Sequence, residues 1–479
     1  MAILVFEEQE YSLARLDALT GALAVRLADR GVRPGDRVAL MSSTRPEFII
    51  AVRAIWRLGA AVVLLSPSWK RADVAHALAV SEPAHAIGDH PVLADLMPMV
   101  HLDEPLEGVD AGVSPVTPVP APDPAADAVF VFSSGTTGLP KAVRHTHASF
   151  AAAVDDWRAV LGMTSADRIQ VATPPSHILG ILNIVTALET GAWMRLHRRF
   201  DLDTVLACIQ DDRITIEMAV APIALAIAAH PKLESFDLSS LRYIMWGATP
   251  VTASVAQTVT RRAGVAWLPA YGASELPVIA CNPLDGARLD SVGLAAPGVE
   301  LRVVDLETGV PVPPGETGEI QARSPSLMIG YLPTEANADA FQDGWYRTGD
   351  VGTIDADGWV RLTDRRKEMI KVRGFQVAPA EVETVLHGHP AVADCAVFGV
   401  PDPADGESIV AAVTVAGGAD PAGLAEELVT LVGDRLASYK RPRRIVFVPE
   451  IPRLPSGKVL RRLLRDQVLD VAVDPPAPG

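Results

Sequence analysis

Apolar residues recur at helical spacing from Tyr11 to Arg30 and stop at Gly31. Val38-Ala39-Leu40-Met41 then reads as a buried strand, Pro46 to Gly59 as a second helix and Ala60 to Leu65 as a second strand. Strand–helix–strand alternation of this kind predicts α/β layers with parallel sheet. It resumes at Ala128, where AVFVF reads as a strand, and continues to about residue 280. Between these stretches, residues 104–127 carry five prolines from Pro115 to Pro124, the composition of an extended surface connector.

The pattern changes further along. Residues 291–364 are rich in short strand-like runs, Gly and Asp (EIQAR, GWYRTGD, VGTIDADGWVRL), which predicts a β subdomain. After Asp364 it restarts with AVADCAVFGV, IVAAVTV and a helix from Gly423 to Leu436, a compact α+β unit. The expected architecture is therefore α/β: a large N-terminal domain of layered α/β subdomains plus a β subdomain, then a small α+β C-terminal domain. No internal repeat is visible, and the tail VDPPAPG is expected to fray.

At ~150 residues per domain, 479 residues allow about two to four domains. A hydrophobic content of 49% is too high for global disorder. Cys208, Cys281 and Cys395 share no CxxC or Cys/His spacing, which argues against a disulfide scaffold or zinc site and fits a reducing cytoplasm. MAILVFEEQEYS lacks the basic region of a signal peptide, and the longest apolar run, Met218 to Ala229, contains Pro222 and is too short to span a bilayer. A soluble cytoplasmic protein, monomer or homodimer, is the expectation. The net charge of −16 argues against nucleic acid as the main partner. That surplus is uneven: residues 365–479 hold 15 basic and 15 acidic residues, so the whole −16 lies before them. Within 435–465, ten basic residues face one acid, Glu450, a lead towards an anionic ligand.

One loop carries clear chemistry. Ser133-Ser134-Gly135-Thr136-Thr137-Gly138-Leu139-Pro140-Lys141 follows a predicted strand. Its glycines permit tight curvature, and its hydroxyls, backbone N–H groups and lysine can converge on a polyphosphate. A Walker A loop is excluded, since the GK[ST] ending is absent. The string resembles the phosphate loop of the adenylate-forming superfamily, which includes acyl-CoA synthetases, aryl-CoA ligases, peptide-synthetase adenylation domains and firefly luciferase. Further matches follow in that family's order: Pro175-Ser176-His177, Tyr271-Gly272-Ala273-Ser274-Glu275, Gly344-Trp345-Tyr346-Arg347-Thr348-Gly349-Asp350, Asp364-Arg365-Arg366-Lys367-Glu368 and Pro455-Ser456-Gly457-Lys458. Lys371 to Glu381, with Ala221-Pro222 and Asp237 to Leu241, looks closest to the coumarate-CoA ligase branch.

The resemblance implies an ATP- and Mg²⁺-dependent acid–thiol ligase working in two steps. A carboxylate attacks the α-phosphate of ATP and expels pyrophosphate. The acyl group then passes from acyl-AMP to the thiol of coenzyme A. Two anions meet in the first step, so the site must neutralise charge. By this resemblance Ser133, Ser134, Gly135, Thr136, Thr137, Gly138 and Lys141 hold the phosphates, and Glu275 holds Mg²⁺ through a hard oxygen. Asp350 and Arg365 take the ribose, Tyr271 with Gly247 and Ala248 encloses adenine, and Gly272, Ala273, Ser274 and Gln376 complete the nucleotide site. Ser274 stands where the family usually has Thr, and keeps the hydroxyl. Lys458 is the implied catalytic cation, bridging the carboxylate and α-phosphate. The implied domains are 1–363 (acid, ATP and Mg²⁺ sites), a hinge at 364–367 centred on Lys367, and a mobile domain 368–479 that rotates between half-reactions. Gly374, Phe375, Tyr439, Lys440 and Arg441 are implied near CoA.

His177 matches the aromatic gate of the acid tunnel and is counted with the catalytic group. His177, Leu179, Trp246, Gly247, Ala248 and Ala273 form the implied acid pocket. Leu179 stands where the coumarate branch places a Tyr against ring substituents, so a hydrophobic acid (fatty, aryl or bulky polycyclic) is expected rather than a hydroxycinnamate. The alternative is an adenylating enzyme that delivers acyl-AMP to a carrier protein or another acceptor. No carrier-like segment follows residue 479, so self-loading is not expected.

Overall fold

The structure, a computed structural model, describes residues 2–105, 122–134, 140–247, 253–373, 375–402, 406–417, 423–453 and 459–473. Several expectations lie outside these residues: most of the 104–127 connector, the loop residues Gly135, Thr136, Thr137 and Gly138 with the Ser134 side chain, Ala248, Gly374, Lys458 and the last six residues of the tail.

Four sheets organise the described chain. The first runs Gly330–Leu332, Pro140–Thr146, Asp127–Ser134, Ala61–Leu65, Arg37–Met41, His85–Gly88, Met99–His101. The second has nine strands: Leu294–Ala295, Ala280–Cys281, Trp267–Tyr271, Tyr243–Trp246, Ile216–Ala219, Arg168–Val171, Trp193–Leu196, Ala2–Phe6, Gln9–Ser12. Helices between successive strands make the central pairs of both sheets parallel, as the alternating pattern predicted. A third, antiparallel sheet (Glu300–Val304, Gly318–Arg323, Trp345–Ile354, Phe341–Gln342, with Val360–Arg365) is the predicted β subdomain. Its last strand ends at Arg365. A single turn, Arg366–Glu368, precedes Ile370–Val372, which belongs to the fourth sheet with Phe375–Val377, Gly406–Val415, Val392–Asp402 and Arg444–Phe447. A large N-terminal domain and a small C-terminal domain result.

Local chemistry sets the element ends. The first helix starts at Leu13 rather than Tyr11, because the Ser12 hydroxyl accepts from the Arg15 N–H and caps it. Tyr11 belongs to the preceding strand, and residues 2–12 form a hairpin whose first strand runs parallel to Trp193–Leu196. The apolar run Met218–Ala229 is divided at Val220, between strand Ile216–Ala219 and helix Ala221–Ala229, with Pro222 in the first turn of the helix, where a missing N–H is tolerated. Among the described residues no helix is long and apolar enough to cross a membrane. The three cysteines are free thiols.

One pocket assignment is corrected by packing. Trp246 is fully buried, and its ring lies 5.1 Å from that of Trp267 in a core with Val205, Ile227, Ile244 and Val259. Side chains alternate across a strand, and this one faces helices rather than a ligand. Trp246 is therefore a core residue, not an acid-pocket residue.

A second buried feature is polar. Glu217 is buried in the nine-stranded sheet and accepts from Gln170 Nε2 at 2.5 Å, while Gln170 Oε1 is 2.7 Å from His197 Nε2. Burial pushes the Glu217 carboxyl up to about 7 and the His197 imidazole down to about 4. The unfolded chain releases the Glu217 proton near pH 4.5 and the folded chain near pH 7. Stability from this group is therefore lost as pH rises through that window, by up to about 3 kcal/mol. Thermal melts between pH 5 and 8 should show a steeper fall in Tm for the wild type than for Glu217→Gln. Parallel curves would refute the assignment.

Candidate active site

The third sheet brings two charged residues face to face. Asp350 and Arg365 are register partners on neighbouring antiparallel strands, and Arg365 Nε lies 3.0 Å from Asp350 Oδ1. The other oxygen, Oδ2, accepts from the Tyr271 hydroxyl at 2.5 Å. Tyr271 ends strand Trp267–Tyr271 of a different sheet, so this carboxylate joins two layers. Asp350 is only 6% exposed. Burial, then the adjacent Asp350 charge, raises the Tyr271 phenol well above its ordinary range, so it stays a donor. The same charge holds Arg365 above its usual value.

Directly after Tyr271 the chain turns sharply. A Cβ at Gly272 would lie 2.1 Å from the Pro277 carbonyl oxygen, so no other residue fits without movement. The Ala273 N–H donates to Leu276 O, and the Ser274 carbonyl is 2.8 Å from His145 Nε2. His145 is buried and, with its pKa driven down to about 4, neutral. This turn delivers Glu275, whose Oε1 accepts from the Tyr331 hydroxyl at 2.9 Å. The Lys141 ammonium sits 5.2 Å from the centre of the Tyr331 ring. Burial and nearby Arg365, with Lys141 a smaller contributor, lower the pKa of Lys367. Cations (Lys141, Arg365, Lys367) and carboxylates (Asp350, Glu275) thus gather around buried tyrosines. His145 and Tyr331 were not found by sequence reasoning. Neither has a spacing signal, because strand Gly330–Leu332 reaches the site only by pairing with Pro140–Thr146.

The phosphate-loop candidate joins two antiparallel strands, with Ser133 opposite Lys141. A strand rather than a helix follows it, in keeping with the exclusion of a Walker A loop. Ser133 and Pro140 also line a cavity of about 1310 Å³ between the two domains. His177 and Leu179 lie in its wall beside Trp69, Phe132, Val220 and Ile223. His177 begins helix Ile178–Thr190, its Nδ1 accepting from the Leu179 N–H at 3.3 Å. Burial lowers its pKa, so the ring is neutral and its proton sits on Nε2. A Cβ at Gly180 would come within 2.1 Å of Pro174 O, so glycine lets the Pro174–His177 turn close on the helix. Gly247 donates from its N–H to Ala219 O, and Ala273 is partly buried against the main core.

The C-terminal domain contributes Val459 to Leu463 and Arg465 to the same cavity. Lys367, Arg461, Arg462 and Arg465 from this side, and Arg198 and Arg199 from the other, outnumber the wall acids Asp73, Glu368 and Glu407. The residues expected near CoA gather elsewhere on this domain. Phe375 and Tyr439 stack with centroids 4.4 Å apart, and Lys440 Nζ is 2.5 Å from Glu381. Gln376, expected in the nucleotide site, is instead exposed beside Phe375 and is not among the residues lining the cavity. The Arg441 side chain packs close to Gly433.

Residues 1–332 match the family model of the AMP-binding enzyme, and residues 381–458 that of the AMP-binding enzyme C-terminal domain. The chain is 36% identical over 470 residues to a feruloyl-CoA synthase of an Amycolatopsis species, covering 94% of this chain and 93% of that protein. It is 33% identical over 489 residues to 4-coumarate–CoA ligase 1 of Solanum tuberosum, covering 95% and 88%. Among solved structures it resembles ATP-bound MatB from Rhodopseudomonas palustris (TM-score 0.91, 27% identity, 98% and 96% covered). It also resembles the amide bond synthetase McbA from Marinactinospora thermotolerans (TM-score 0.89, 34% identity, 98% and 97% covered).

Arg461, three residues past Lys458, is a structural hub. Its guanidinium pairs with Glu368 and with Glu383 at 2.7 Å, and its Nε donates to Val397 O. Nearby Asp364, pushed up to about 6 by burial, accepts from the Arg365 and Ala380 N–H groups and so ties the two domains together. Arg461→Met would strand two carboxylates in a half-dry site, at a cost of about 3–5 kcal/mol. Urea denaturation should show the C-terminal domain unfolding correspondingly earlier, and an unchanged midpoint would contradict the hub.

Proposed function

The chain belongs to the AMP-binding enzyme family, and on that premise we propose that it is an ATP-dependent acyl-CoA ligase acting on a hydrophobic carboxylic acid. The observation that carries the reading is the buried Asp350 carboxylate held between Tyr271 and Arg365, beside Glu275, Lys141 and Lys367. A carboxylate fixed by partners on both oxygens suits bidentate hydrogen bonding to a ribose diol. The cations beside it suit the polyphosphate.

In the first half-reaction an acid oxygen forms a bond to the α-phosphorus as the bond to the pyrophosphate oxygen breaks. Thr136, Thr137 and the loop backbone, with Lys141, hold the departing phosphates. Lys458, next to cavity-lining Val459, neutralises the approaching anions. Among the described residues no group of three or more His, Cys, Asp or Glu is placed to hold a metal, and a lone carboxylate ligand suits Mg²⁺, which keeps most of its waters and takes phosphate oxygens. Glu275 would hold that ion, whose charge would stabilise the phosphates.

In the second half-reaction the thiol sulfur bonds to the acyl carbon and AMP leaves. We place the domain boundary at 363, the hinge at 364–367 with Lys367 at its centre, and the mobile domain at 368–479. The stacked Phe375–Tyr439 pair with Lys440 lies outside the cavity wall that Val459–Arg465 occupy, which supports two faces of one domain serving the two steps in turn.

His177 and Leu179 open the acid channel, and the apolar wall of Trp69, Phe132, Val220 and Ile223 selects hydrocarbon by ~0.8 kcal/mol per buried CH₂. The named acids of the relatives support an aryl acid, while Leu179 supports one lacking a ring hydroxyl to recognise. The decisive experiment is ATP–pyrophosphate exchange across aliphatic, aryl and polycyclic acids, with CoA then added. Thioester should appear only with CoA; acyl-AMP that is consumed only by an amine or a carrier would reassign the acceptor. Lys458→Ala should lower acid-dependent exchange by ~10²-fold or more yet leave thioester formation from preformed acyl-AMP largely intact. Equal loss of both would sink the two-conformation account.

A further inference from the structure

Tyr331 has no role in the mechanism above, yet it touches two of the side chains that do, Glu275 and Lys141. Its backbone is held on both edges. Strand Gly330–Leu332 pairs with residues 142–144 on one side. On the other, Tyr331 N donates to Asn337 Oδ1 at 2.7 Å and Asn337 Nδ2 donates back to Tyr331 O at 3.1 Å. Gly330 before it has φ 144° and carries Asn337 where a Cβ would be, 2.9 Å away. The ring is 8% exposed. From this fixed mount the hydroxyl donates to Glu275 Oε1 at 2.9 Å, and the ring face meets the Lys141 ammonium at 5.2 Å. Tyr346, also buried, brings its hydroxyl beside that of Tyr331.

We infer that Tyr331 is the positioning residue that sets the rotation of the Glu275 carboxylate for a divalent cation while its ring seats Lys141 for the phosphates. The inference rests on the metal role proposed for Glu275. A Glu carboxylate has a soft terminal torsion, so two oxygens sweep a broad arc unless one is bound. With Oε1 held by the phenol, Oε2 has one direction, and the charge cannot swing onto Lys141. Partners behind a metal ligand typically govern affinity by 10–100-fold. The ring contact is a separate function of the same residue, worth less because a cation–π pair at a partly solvated site is weak.

Substitutions separate the two functions. Tyr331→Phe keeps the ring and removes the hydroxyl; Tyr331→Leu removes both. Mn²⁺ binding is measured by electron paramagnetic resonance with α,β-methylene-ATP and no acid, so no turnover enters. Tyr331→Phe should weaken Mn²⁺ about 10–100-fold, with a smaller fall in Tm than Tyr331→Leu and with the KM for ATP at saturating Mg²⁺ near that of the wild type. Tyr331→Leu should add a rise in that KM. Glu275→Gln is the reference. If it weakens Mn²⁺ and Tyr331→Phe does not, the positioning role is overturned and the metal role stands. If Glu275→Gln leaves Mn²⁺ unaffected, the metal role falls and this inference with it. A Tyr331→Phe protein whose Tm falls as far as that of Tyr331→Leu is a packing variant, and that result also overturns the inference.

Discussion

Two buried carboxylates, Asp350 and Glu275, set the terms for the rest of the site. Each is under a tenth exposed, where an isolated charge would be strongly disfavoured. Each is held by a tyrosine hydroxyl, Tyr271 on Asp350 and Tyr331 on Glu275. A phenol in a dry setting donates without bringing a charge of its own. It fixes direction and leaves the electrostatic balance to Arg365, Lys141 and the incoming ligand. Burial pushes both phenols upward in pKa, which keeps them protonated donors across any working pH. The carboxylates are thereby held in fixed directions, as the proposed ribose and metal roles require.

Holding them needs parts from three sheets. Asp350 and Arg365 come from the β subdomain, Tyr271 and Glu275 from the end of the nine-stranded sheet, and Lys141 and Tyr331 from the seven-stranded one. The site therefore lies where the carboxyl ends of parallel strands open, the common location for ligands in α/β sheets. It also lies at the one turn, Arg366–Glu368, that links the sheets of the large domain to that of the small one. Charge follows the same division. The acidic surplus sits on the large domain, while the basic strip of the small domain divides between the hub (Arg461), the cavity wall (Arg462, Arg465) and an ion pair beside the stacked aromatics (Lys440).

Much of this was legible in the sequence. Ordered motifs pointed to Tyr271, Glu275, Asp350, Arg365 and His177, and the first four come together around one buried cluster. Patterning also located the parallel layers, the β subdomain and the restart after Asp364. Errors came where one residue's facing decided the matter. Trp246 matches a pocket segment, yet the strand alternation points its indole at Trp267. Tyr11 was read into a helix that the Ser12 cap begins two residues later.

By itself, then, the chain order determined the family, the layered α/β class and the candidate site side chains that sit in contiguous motifs. Hydrophobic periodicity and loop chemistry are local, and a local signal survives in one dimension. Only the tertiary structure decided which groups hold those side chains in place. Tyr331 on Glu275, His145 under Ser274, Gln170 against Glu217 and Arg461 between Glu368 and Glu383 all join segments far apart in sequence. Their identity depends on which strands pair and which faces turn inward. No spacing encodes that, because a lone buried Tyr, His, Gln or Arg acquires meaning only from the partner that packing brings to it.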